Sequence, residues 1–165
     1  MGLKDQVNAE QWKVLLNAPS AAAEYVATAS GGGLEVIKEV FTSMRAVQET
    51  AFREGGSGFG KVVDGILEEM KEMSLDEAKT DTIHYESKDL AALREEAKGV
   101  VVKAGEAAAL MEGGDGYKRW LLYIARKVAE TKTGGVLGFG GTSVIDEKEE
   151  AALAELKTLL GVVEM

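Results

Sequence analysis

The residues with the most chemical promise form the run Gly55-Gly56-Ser57-Gly58-Phe59-Gly60-Lys61. Their spacing matches a phosphate-binding P-loop as far as its lysine. Such a loop cradles phosphates with backbone N–H groups, sets the lysine against their charge, and uses a following Ser or Thr to hold magnesium. Here Val62 follows Lys61, and valine has no oxygen to offer a metal. A P-loop also hangs from a strand, whereas Ile37, Val40, Phe41, Met44, Val47 and Ala51 repeat at helical spacing ahead of this one. Nucleotide binding is therefore not expected.

A second glycine-rich loop is expected from Gly134 to Thr142, and it repeats the Gly-Phe-Gly element around Phe139. A helix start follows each loop, and helix starts attract anions. The simpler reading is that Phe59 and Phe139 plug the core while the glycines let the chain turn around them. The loops are then joints.

His84 is the single histidine, so no His–His metal pair can form. Asp81, Tyr85 and Glu86 are its neighbours, and one histidine with carboxylates can hold a divalent ion. A solvated loop histidine needs no ligand at all. No Gly-x-Ser-x-Gly elbow supplies a nucleophile for a triad. Acidic runs occur at Glu68, Glu69, Glu72, Asp76 and Glu77, and again at Asp146, Glu147, Glu149 and Glu150. The second run opens a helix, where the dipole already favours negative charge. Neither run alternates its oxygen ligands as a calcium loop of the EF-hand kind requires. Asp146, Glu149 and His84 remain the candidate metal ligands. No organic cofactor is expected, and a divalent metal is the one cofactor these residues allow.

The elements that must position these groups read as helices. Asn8 and Gln11 make a capping pair ahead of Trp12, Leu15 and Leu16. Pro19 suits the first turn of a second helix over about Ser20 to Ala29, whose apolar face is Ala22, Tyr25, Val26 and Ala29. Further helices are expected through Ile37–Ala51, through Val63–Met73 and through Leu90–Ala108, with a loop over Thr80–Glu86. Gly99 and Gly105 weaken the helix through Leu90–Ala108, and close helix–helix approach would explain both. Glu112 to Gly116 reads as a turn before the stripe Tyr117, Trp120, Leu121, Ile124, Ala125 and Val128. A last helix puts Leu153, Leu156 and Leu160 inward, facing Trp120, Ile124 and Val128, and stops at Gly161. Only Val100-Val101-Val102 reads locally as strand. The expected fold is all-α, a compact single-domain bundle over 1–165 of about seven or eight helices.

Composition bounds the function classes. The chain has 165 residues, no cysteine, and a formal net charge of −9. Thiolate metal sites and disulfides are excluded. A chain this acidic is not expected to bind nucleic acid or an anionic membrane surface. Met1 to Val7 carry no apolar run, so a secretory leader is not expected and the expected location is cytoplasmic.

A resemblance enters at the C-terminal third. Residues Trp120 to Glu130, Gly135 to Gly141 and Val144 to Gly161 resemble a family of small prokaryotic all-helical proteins. They are also remotely similar to the tellurite-resistance TerB-like domain. There a helix ending Val-Ala-x-Ala leads through an Asp-Gly turn to a helix opening with x-x-x-Glu. Val26-Ala27-Thr28-Ala29 and Val128-Ala129 are similar to the first part, and Glu39 and Glu149 stand in the helices that follow. The acidic turn itself is replaced by Ser30-Gly31 and by Gly141-Thr142. The resemblance implies a helical fold and a link to stress response. The expected function is thus a non-enzymatic domain acting through protein contacts. The alternative is a domain that binds a divalent cation or a small anion. The partner is left unidentified, and a homo-oligomer is compatible with either reading.

Overall fold

The chain enters its first helix through a reciprocal cap. The Asn8 side chain accepts from the Gln11 N–H at 2.7 Å, and the Asn8 N–H donates to the Gln11 side chain at 3.0 Å. These two bonds occupy donors that a helix start leaves without intrahelical partners. The computed structural model describes residues 3–29, 59–72, 76, 90–136 and 147–162. A short 3-10 turn, Leu3–Gln6, precedes α1, Ala9–Ala27. Then come α2, Lys61–Glu72, α3, Leu90–Ala109, α4, Gly114–Val136, and α5, Glu147–Leu160. The described residues hold five α-helices and no strand. The helix expected through Ile37–Ala51 and the loop expected over Thr80–Glu86 lie outside them.

The expected break at Pro19 does not occur: α1 runs through it. A proline inside a helix has no N–H for the carbonyl four residues back, which usually costs about 3 kcal/mol or more. Here that carbonyl belongs to Leu15. It accepts a hydrogen bond from the buried Tyr117 hydroxyl at 2.8 Å. A residue of α4 thus supplies the donor that Pro19 lacks, and one continuous helix replaces the two expected.

The helix through Val100 forms as the apolar spacing predicts, with Val100 and Val101 buried and the locally strand-like triplet helical. Gly105 fits the expected close approach, because a Cβ there would lie 2.9 Å from a Leu160 methyl. Gly99 does not, since nothing lies within 4 Å of its would-be Cβ. The second glycine-rich loop starts later than expected. Gly134, Gly135 and Val136 close α4, because an established helix can extend through a glycine at about 1 kcal/mol each. Residues 137–141, Phe139 included, lie outside the described part.

The core is continuous across all five helices. α1 packs most extensively on α3 and α4, and α5 closes over α1, α3 and α4. Trp12 and Trp120 are both interior, as their stripes predict. Leu153, Leu156 and Leu160 of α5 join the same core as Trp120 and Ile124 of α4. The α5 end is a Schellman motif. Val162 N–H donates to the Lys157 carbonyl and Gly161 N–H to the Thr158 carbonyl, each at 3.1 Å, with Gly161 at φ +69°. Among the described residues no helix is long and apolar enough to cross a membrane.

Candidate functional site

The densest polar constellation lies where α1, α3 and α5 meet. The C-terminal turn of α1 leaves its last carbonyls without intrahelical donors and contains no basic residue of its own. Arg94, near the start of α3, supplies the missing charge. Its guanidinium donates to the Tyr25 carbonyl from Nε at 3.4 Å and from Nη2 at 3.3 Å. The same guanidinium lies 4.4 Å from the centre of the Tyr25 ring, a cation–π contact. The Tyr25 hydroxyl then donates to the Glu155 carboxylate of α5. One turn along α3, Lys98 reaches Glu155 at 3.4 Å. Four side chains from three helices form one chain of contacts.

The electrostatics of this chain are fixed by its geometry. Burial pushes the Tyr25 phenol up to about 12, and the hydrogen bond to Glu155 pushes the same way. The hydrogen bond from Tyr25 holds the Glu155 carboxyl below the ordinary carboxylate range; burial opposes this and Lys98 reinforces it. A general acid or base works best when its pKa lies near the working pH. Tyr25 stays protonated and Glu155 stays ionised across the neutral range, so the pair acts as a fixed tie. Sequence reading placed Tyr25 on the apolar stripe of its helix and stopped there. Arg94 and Lys98 stand four residues apart on one helix face, which was the available signal. Their pairing with Tyr25 and Glu155 is tertiary and carries no local pattern.

Of the three candidate metal ligands, the structure describes one. Glu149 sits in the first turn of α5 and is only 2% exposed, while Glu147 and Glu150 beside it are exposed. The acidic helix start is therefore not uniformly a solvated face: its third position points inward. Asp146 and His84 lie outside the described residues. A second buried carboxylate was missed by sequence reading. Glu24, in the last turn of α1, is 5% exposed, at the helix end where the dipole disfavours negative charge. Among the described residues no group of three or more His, Asp or Glu is placed to hold a metal.

The end of the P-loop-like run forms a corner with the α3–α4 bend. Gly60 and Gly113 both have positive φ, +93° and +89°. Gly116 must be glycine, because a Cβ there would collide with the Phe59 carbonyl. The starts of α2 and α4 are thereby drawn together. Lys61 opens α2 and is exposed, with its ammonium 3.1 Å from Glu112. Val62 and Val63 turn into the core. The position at which a P-loop keeps its magnesium-binding hydroxyl is thus occupied by a core valine. Phe59 is half-buried, its ring 5.5 Å from that of Tyr123. The expectation that this phenylalanine anchors its loop holds in part.

No protein-family model, no curated protein and no solved structure matches the chain, so its functional reading rests on its own residues.

Proposed function

We propose that the chain is a non-enzymatic helical domain that acts through protein contacts. The observation that supports this is where its polar chemistry goes. Arg94, Tyr25 and Tyr117 direct their donors at backbone carbonyls or at a carboxylate on a neighbouring helix. Their work is to hold helices together. The most exposed large apolar side chain among the described residues is Leu110, 83% exposed at the α3–α4 bend, and it is the natural first contact for a protein partner. The link to stress response is the portion of the reading that the tellurite-resistance resemblance contributes. A photo-crosslinking residue placed at Leu110 should give a discrete protein adduct in cell extract, and one placed at exposed Glu106 should not. Equal labelling at both positions, or none at either, would sink the proposal.

A second reading, a divalent-cation binding domain, is favoured by one observation, the burial of Glu149. Buried carboxylates are paired with a cation or coordinate a metal. A cation that binds only the folded form must raise the melting temperature with its concentration. Titration with magnesium, calcium, manganese and zinc should then raise Tm for the wild type and leave Glu149→Gln unmoved. A flat Tm for all four metals rejects this reading.

A further inference from the structure

We draw no further inference here: the strongest candidate, the corner where the starts of α2 and α4 meet beside Lys61, rests on two helix N-termini and the glycines between them, with no second observation that points to a ligand.

Discussion

The bond between the Tyr117 hydroxyl and the Leu15 carbonyl compensates for the N–H that Pro19 lacks. Tyr117→Phe keeps the ring and removes only that donor, leaving a buried carbonyl without its bond. The expected cost is about 1–3 kcal/mol, read from denaturant midpoints. Pro19→Ala returns an N–H to the helix, so it should recover much of the loss in the Tyr117→Phe background and bring little benefit alone. Purely additive effects of the two substitutions would show that hydroxyl and proline are not coupled. Neither residue announced this link in the sequence. Pro19 fitted the first turn of a new helix, and Tyr117 fitted an apolar stripe. The two are 102 positions apart, and a donor borrowed across that separation leaves no periodic trace.

At the scale of elements, helices were legible wherever apolar residues repeat every three or four positions over several turns. α3 begins and ends close to where its stripe does, and the α1 cap was readable from Asn8 and Gln11. Where glycine was the guide, the sequence was ambiguous, because glycine marks both an obligatory turn and a merely tolerated helical position. Gly116 and Gly99 separate the two cases. Gly116→Ala drives a methyl into the Phe59 carbonyl and must part the start of α4 from the end of the loop, at an expected cost of about 1–3 kcal/mol. Gly99→Ala meets nothing in the middle of α3 and should stabilise by about 0.5–1 kcal/mol. Thermal melts of the two variants should move in opposite directions; a shared direction would contradict the packing described at one of them. For the candidate site, sequence reading reached Glu149 but gave it a solvated role, since a helix-start carboxylate has a sufficient local reason to exist. Its burial depends on how α5 docks, which is a property of the assembled bundle.

For the whole molecule, the junction of α1, α3 and α5 makes docking of the last helix depend on pH in a defined sense. Glu155 has a folded-state pKa below its ordinary value near 4.5. Its contribution is present above that value and is lost as pH falls through the lowered one. Tyr25 is raised from 10.0 to about 12. Its contribution is complete below pH 10 and disappears as pH rises toward 12. Burial raises Tyr117 in the same direction. Urea midpoints should therefore hold level across the neutral range, as far as these groups decide it, and fall on both sides. Glu155 is largely solvated, so its acid limb is shallow. Tyr25→Phe should move the Glu155 carboxyl back toward its ordinary value, visible in its NMR titration, while Tyr117 keeps part of the alkaline limb. An unchanged Glu155 titration in that variant would show that the hydroxyl does not hold the carboxylate.

The seam between α1 and α3 has a consequence of a different kind. Ala18, Ala21, Ala22 and Ala23 on one helix, and Ala97, Ala104, Ala107 and Ala108 on the other, are all interior. Alanine has no rotamers to surrender, so these positions enter the core at almost no side-chain entropy cost. What they contribute is proximity: dispersion between two backbones rather than interlocked side chains. Such a seam has little slack. It can form from a loosely collapsed chain without sorting side chains into their wells, but an added methylene has nowhere to go except between the helix axes.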